Sequence, residues 1–218
     1  MRILITSGGT KEAIDPVRSI TNHATGRLGS IIAEQFLHNG FSVTYICSEG
    51  AALPQLNHDF LNYDLEIITI CSTAQLAEKL EQLLRSTQYT CVIHAMAVSD
   101  YAPYGMDTGK KIPSDSPYLI LVLKRQPKII NCIKEIQPDT LLIGFKLLSG
   151  VNEEDLLQAA NKIMEQSKCD YVLANDLNNI HGDVHKAILI NREGIISRGE
   201  SKQEIAKMIY REVEKVNR

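Results

Sequence analysis

Between the apolar run Ile3-Leu4-Ile5 and the periodic run that opens Ile31-Ile32-Ala33 lies the stretch Ser7 to Gly29, SGGTKEAIDPVRSITNHATGRLG. The flanks read as a strand and a helix, so the stretch is their connection. A strand-to-helix connection normally needs about two to six residues, and this one uses about eighteen. Loops of that length carry function or are disordered. The residues argue for function: a Gly-Gly-Thr turn, an Asp-Pro, Arg18, Asn22, and Thr25-Gly26-Arg27 where the helix should begin. Such groups bind phosphate and orient carbonyls. The chain is thereby constrained to an α/β fold whose first crossover carries a binding loop.

The rest of the pattern agrees. Arg2–Thr6 reads as the first strand, with a helix from about Gly26 to Asn39, which Gly40 ends. Ser42–Cys47 and Leu65–Ile70 are the second and third strands. Ser72 caps a helix that carries Leu76, Leu80, Leu83 and Leu84 at helical spacing. Tyr89–Ala95 is the fourth strand, after which regular pattern stops from Met96 to Pro117. Tyr118–Leu123 then predicts a strand, and Pro127 the start of a helix to Ile136. Further strands are predicted at Thr140–Lys146, Tyr171–Ala174 and His185–Asn191, with a turn at Gly194 into Ile195-Ile196. Helices are predicted at Glu153–Gln166 and from Ser201 to about Val216. This predicts an α/β, Rossmann-like, mostly parallel sheet with helices on both faces, as a single domain over residues 1–218. The long ligand loops after strands one and four should face each other at the carboxyl edge of the sheet.

Composition narrows the function. Net charge is −3 and the basic residues are dispersed, which speaks against nucleic acid as a partner. No apolar run approaches about 18 residues, so no transmembrane helix is expected. The five cysteines lie far apart and mostly among apolar residues, as buried free thiols in a reducing cytoplasm would.

The candidate chemistry sits in the two loops. Gly8, Gly9 and Thr10 follow the first strand, where backbone N–H groups and hydroxyls suit an anion, although ordinary turns use glycine pairs too. Gly26 and Gly29 open a helix whose N-terminus attracts negative charge. Arg18 can clamp a carboxylate or phosphate, and Asn22 can donate to a developing oxyanion. After strand four, the small residues of Met96-Ala97-Val98-Ser99 allow a ligand to lie on the backbone, and Asp100 is an acceptor for a base or ribose. Lys110 and Lys111 stand in a polar stretch from Tyr104 to Pro113, suited to closing over a phosphate. Phe145 ends a strand, where it serves either a base or the core, and Ala174-Asn175-Asp176 ends another. His181-Gly182-Asp183-Val184-His185 has metal-binding residue types but no third ligand at hand.

SGGTKEAIDPVRSITNHATGRLG, AMAVSDYAP, the GKK at 109–111, KRQPKII, GFKLLSG and VLANDL, in that order, resemble the 4'-phosphopantothenate–cysteine ligases of coenzyme A biosynthesis. The resemblance covers essentially the whole chain. It implies an acid–amino-acid ligase in which a carboxylate attacks a nucleoside triphosphate, and cysteine nitrogen then displaces the nucleotide. It implies catalytic roles for Asn22 and Lys110. It places Gly8, Gly9, Thr10, Met96, Ala97, Asp100, Pro127 and Phe145 at the nucleotide, and Arg18, Asn22, Gly26 and Ala97 at the substrate. It further implies Mg2+, CTP as co-substrate with ATP as the alternative, and a cytoplasmic homodimer in which Arg18 reaches the neighbouring site. Ser99 and Met96 stand where the bacterial fused form has alanines, and the first strand begins at residue 2, so decarboxylation is expected of another protein. Two other readings compete. A nicotinamide-dependent reductase of the short-chain type needs Tyr-x-x-x-Lys, and none of the eight tyrosines has lysine four residues on. A non-catalytic nucleotide-binding regulator would have no use for Asn22 and Lys110.

Overall fold

The computed structural model describes residues 1–56, 63–105, 107–182 and 184–216. In chain order its elements are β1 (Arg2–Ser7), β2 (Lys11–Asp15), β3 (Arg18–Thr21), α1 (Arg27–His38), β4 (Ser42–Ser48), β5 (Leu65–Ile70) and α2 (Thr73–Ser86). There follow β6 (Cys91–His94), β7 (Tyr101–Pro103), β8 (Leu123–Arg125), α3 (Ile130–Ile136), β9 (Leu141–Leu148), α4 (Glu153–Ser167) and β10 (Tyr171–Asp176). A 3-10 turn (Leu177–Asn179), β11 (Ile180–His181), β12 (Val184–Asn191), β13 (Gly194–Ser201) and α5 (Lys202–Lys215) complete it.

Six strands run parallel in the spatial order β5-β4-β1-β6-β9-β10, and β12 continues the sheet antiparallel with β11 and β13 on it. Counting only the parallel strands as they appear in the chain, the order is 3-2-1-4-5-6, that of a dinucleotide-type fold. The order reverses between β1 and β6, and in such sheets ligands bind beyond the carboxyl ends of the strands at that point.

Alternation along β1 builds two cores. Ile3 and Ile5 join Ile32 and Phe36 of α1 and Ile205 and Ile209 of α5 on one face. Leu4 joins Leu76, Leu80 and Leu84 of α2, Ile133 of α3 and Met164 of α4 on the other. All of these side chains are essentially excluded from solvent, and burial on this scale is the dominant force for folding. The caps read from sequence hold: Ser72 Oγ accepts from Gln75 N–H and Ser201 Oγ from Glu204 N–H. Asn152 and Asp155 add a capping box to α4.

Four expectations need correction. The first ligand loop is not irregular, because β2 and β3 form an antiparallel hairpin within it. Tyr118–Leu123 is not a strand: only β8 pairs, with β7, extended by Tyr104 N–H donating to the Val122 carbonyl. The helix expected from Pro127 begins at Ile130. Gln126 N–H donates to the Asp100 carbonyl, which holds the chain extended, and two tight-turn bonds at Lys128 and Ile129 then lead into α3. Lastly, the cysteines are not uniformly buried. Cys47, Cys91 and Cys169 are, Cys132 is half-buried and Cys71 is exposed, and all five are free thiols.

Candidate active site

The two loops meet where the sheet order reverses. Past the ends of β1 and β6, Gly9 and Ala97 form an isolated parallel bridge. Ala97 N–H donates to the Gly8 carbonyl at 2.8 Å, and Thr10 N–H donates to the Ala97 carbonyl at 3.2 Å. The β1–β6 ladder thus runs on into the loops and fixes one against the other. Asn22 closes the group, its Nδ2 donating to the same Ala97 carbonyl at 3.3 Å. Gly8, Gly9, Asn22 and Ala97 are brought together by residues far apart in sequence.

Gly8 cannot be replaced in this geometry. Its φ is +86°, and a Cβ would lie 2.2 Å from Ser48 Oγ. That hydroxyl accepts from Gly9 N–H at 3.1 Å. Ser48 ends β4 and carried no signal beyond being small and at the carboxyl edge. Gly26 is the N-cap of α1 and has no side-chain cap, while Ser7 Oγ donates to its carbonyl. The first turn of α1 therefore presents backbone N–H groups beside the Gly8 turn, a setting that favours a phosphate or carboxylate.

Thr10 does not offer its hydroxyl to a ligand. It is fully enclosed, with Oγ1 bonded to Thr73 Oγ1 and Ser99 Oγ at 3.1 Å each, and it accepts from Ser99 N–H. Thr73 in turn donates through its N–H and hydroxyl to the buried Glu12 carboxylate. This polar staple ties both loops to the start of α2, and Glu12 had no feature to mark it in the sequence. Met96 likewise turns its side chain into the core beneath α2 and leaves only its backbone at the site.

Asp100 stands exposed, paired with Lys128 Nζ at 2.5 Å. Pro127, also exposed, lies between Lys128 and the Gln126 that bonds Asp100. The charged contact to Asp100 is made by Lys128, the residue after Pro127. Phe145 lies one residue beyond the Gly144 that pairs with His94, half-buried against the α1 side of the core. Asn175 and Asp176 serve the scaffold. Asn175 bonds His185, and Asp176 accepts from Gly150, Val151 and Asn178 N–H groups, which hold its carboxyl below the usual range. Asp183 lies outside the described residues, and among the described residues no three metal-ligating side chains converge.

Arg18 and Lys110 are not in this cluster. Arg18 donates through Nε and Nη2 to the buried Asp15 carboxylate, and through Nη2 to the Ile112 carbonyl. The guanidinium and the surrounding N–H donors hold the Asp15 carboxyl far below the usual carboxylate range. Lys110 is 86% exposed, with Asp107 at 3.9 Å as its partner. Of the stretch around it, Met106 lies outside the described residues.

The site is thus a cradle of backbone donors and one amide beside small residues. It contains the parts for stabilising charge on phosphoryl and carbonyl oxygens, and that chemistry needs no protein nucleophile.

The DNA/pantothenate metabolism flavoprotein C-terminal domain matches residues 1–216. The coenzyme A biosynthesis bifunctional protein CoaBC of Thermococcus kodakarensis is 35% identical over 99% of this chain and 51% of its own length. The chain therefore spans about half the length of the curated relatives it matches. The crystal structure of the DNA/pantothenate metabolism flavoprotein from Streptococcus pneumoniae superposes with a TM-score of 0.90 at 36% identity, covering 99% of both chains. A mutant of Cab2 in complex with phosphopantothenate-cysteine shares the fold, with a TM-score of 0.78 at 23% identity over 97% of this chain and 84% of that one.

Proposed function

The chain belongs to the family of the DNA/pantothenate metabolism flavoprotein C-terminal domain, and from that premise we propose that it joins 4'-phosphopantothenate to L-cysteine in coenzyme A biosynthesis. The observation that carries this reading is the convergence of Gly9, Asn22 and Ala97 beside the uncapped start of α1.

The reaction has two steps. A carboxylate oxygen of phosphopantothenate attacks the α-phosphorus of CTP, and the bond to pyrophosphate breaks. The cysteine nitrogen then attacks the acyl carbon, loses a proton and expels CMP. Both steps build negative charge on oxygen. The N–H groups at Gly8 and the start of α1 suit the phosphates, and the Asn22 amide suits the acyl-nucleotide oxygen. Lys110 neutralises charge as pyrophosphate departs. Asp100, held by Lys128, and Phe145 sit at the base. CTP is the proposed co-substrate, with its cytosine amino group facing the Asp100 carboxylate. Mg2+ would come with the triphosphate, because no cage of carboxylates is built among the described residues.

The active form is a homodimer in the cytoplasm. Tyr118, Ile120 and Val122 are 82%, 85% and 60% exposed beside the β7–β8 ribbon, an apolar run that a second copy would cover. Arg18 then lends the neighbouring site the Nη1 group, which makes no hydrogen bond among the described residues. Free thiols suit a reducing compartment, and no helix among the described residues is long and apolar enough to cross a membrane.

The test is a coupled assay. The chain with phosphopantothenate, cysteine, Mg2+ and CTP should release CMP and pyrophosphate in equal amounts with phosphopantothenoylcysteine. Without cysteine, acyl-cytidylate should accumulate. Failure to form the amide with either CTP or ATP would reject the reading.

A further inference from the structure

Asp15 receives more hydrogen bonds than a hairpin turn requires. It is 2% exposed. Its Oδ1 accepts from the Val17 and Arg18 N–H groups, which shapes the β2–β3 turn. Its Oδ2 accepts from Arg18 Nε and Nη2 and from Ile112 N–H, 97 residues away. Arg18 Nη2 also donates to the Ile112 carbonyl at 2.8 Å. Both backbone polar groups of Ile112 are therefore held by one ion pair whose carboxylate is buried.

Nothing else ties that segment to the body by hydrogen bonds among the described residues. Gly109 and Lys110 N–H groups bond back to Asp107, and Ser116 bonds to Tyr118. Ile112 is thus the point that decides where the Lys110 turn sits, two residues upstream. A cation this exposed, on a side chain this long, cannot find a reacting phosphate reproducibly unless its backbone is fixed. A misplacement of about 1 Å can cost about a hundredfold in rate.

We propose that the Asp15–Arg18 pair is a latch on Ile112 that positions Lys110 for the reaction, which makes Asp15 a positioning residue. The role assigned to Lys110 rests on the ligase reading, whereas the latch itself rests on the geometry.

Two variants test it from opposite sides. Asp15→Asn keeps the shape but removes the charge and one acceptor. Ile112→Pro removes the N–H from the far side and leaves the hairpin intact. In Asp15→Asn, trypsin should cleave after Lys110 and Lys111 about tenfold faster than in wild type, and in Ile112→Pro after Lys110, because proline at 112 blocks the cut after Lys111; cuts elsewhere should change little, and about tenfold is the scale of losing one hydrogen bond to a charged group. The kcat of amide formation should fall about tenfold, with the nucleotide KM within about threefold, because binding is kept and placement is lost. In the double variant Asp15→Asn with Lys110→Gln, the rate should fall little below that of Lys110→Gln alone, since both act through one group. Folded variants with wild-type cleavage after Lys110 would overturn the latch. Fully additive rate losses would overturn the positioning role. Faster cleavage in a protein that makes no amide even as wild type would support the latch and reject the ligase reading instead.

Discussion

The exposed Asn22 amide reaches the Ala97 carbonyl across 75 residues of chain. Asn22→Asp keeps the shape but can only accept, and it puts negative charge beside a phosphate. Amide formation should fall at least about a hundredfold, the scale of one lost oxyanion donor. Rapid quench with labelled CTP locates the loss. Pyrophosphate in a single burst with accumulated acyl-cytidylate assigns Asn22 to the second step, and neither product assigns it to the first. Wild-type turnover would remove it from the mechanism. Beneath the site, His94 gives a pH signature of the scaffold rather than of the chemistry. It is buried at the end of β6 with Nδ1 2.9 Å from Thr6 Oγ1, and burial draws its pKa from 6.5 down to about 4. His185 is buried and drawn down to about 4 as well, by burial first and by Lys202 second. Between pH 6.5 and 4 the unfolded chain binds protons that the folded one refuses, so the stability these two histidines contribute falls as pH drops through that window and is gone below it. His94 alone accounts for up to about 3 kcal/mol. Melting temperatures from pH 4 to 7 should therefore fall steeply on the acid side in wild type and less steeply in His94→Gln. A wild-type profile without that fall would mean the imidazoles charge freely.

At the scale of elements, one contact governs how α1 meets β1. A Cβ on Gly29 would lie 2.2 Å from Ser7 Oγ and 2.7 Å from Ser7 Cβ, but 3.6 Å from Ser7 Cα. Gly29→Ala should then destabilise the protein by about 1–3 kcal/mol through overpacking. Ser7→Gly in the same chain should recover most of the packing, because only the Cα distance remains. Chemical denaturation of the two single variants and the double checks this, and strictly additive losses would refute it. The same helix shows what the sequence made legible. Asn39-Gly40 marked its end and Gly26 its start, because a left-handed turn after a helix and a cap before it are local demands. The β2–β3 hairpin was hidden although its residues alternate, with Glu12 and Ile14 buried and Ala13 exposed. Its partners for burial, Thr73 and the loop after β6, are distant in sequence, and its glycine and polar neighbours read as loop chemistry. Tyr118 to Leu123 misled in the opposite way. The run has strand-like apolar residues, yet among the described residues nothing covers most of it, and pairing begins only at Leu123. Strand propensity reports a fit to a half-buried surface, and here the chain alone does not supply that surface. In the site, backbone donors at glycines were readable from residue type, whereas Thr10, Met96 and Lys128 could be sorted only by seeing which way each side chain turns.

For the whole molecule, the question is whether one chain holds a complete site. Asn22 lies within the cradle of its own chain, and Arg18 does not. If two copies pair through the exposed run at 118–123, the Arg18 of each can serve the other. Mixing inactive Arg18→Ala with inactive Asn22→Ala then has a quantitative outcome. Random exchange makes about half of the dimers mixed, and each mixed dimer has one of its two sites supplied with both residues. Recovery is therefore bounded at about a quarter of wild-type activity. The latch lowers that bound in a telling way. The repaired site takes Asn22 and Lys110 from the Arg18→Ala subunit, whose own Ile112 has lost its guanidinium. Its turnover should be slower than wild type even though every group that touches substrate is present. Recovery well below a quarter, with an unchanged nucleotide KM, is the expected result once subunit exchange is demonstrated by mass spectrometry of isotope-labelled copies. No recovery despite exchange would confine Arg18 to its own chain and leave the latch as its whole role. Recovery at the full quarter would mean that Arg18 crosses to the neighbour and that Lys110 is placed without it.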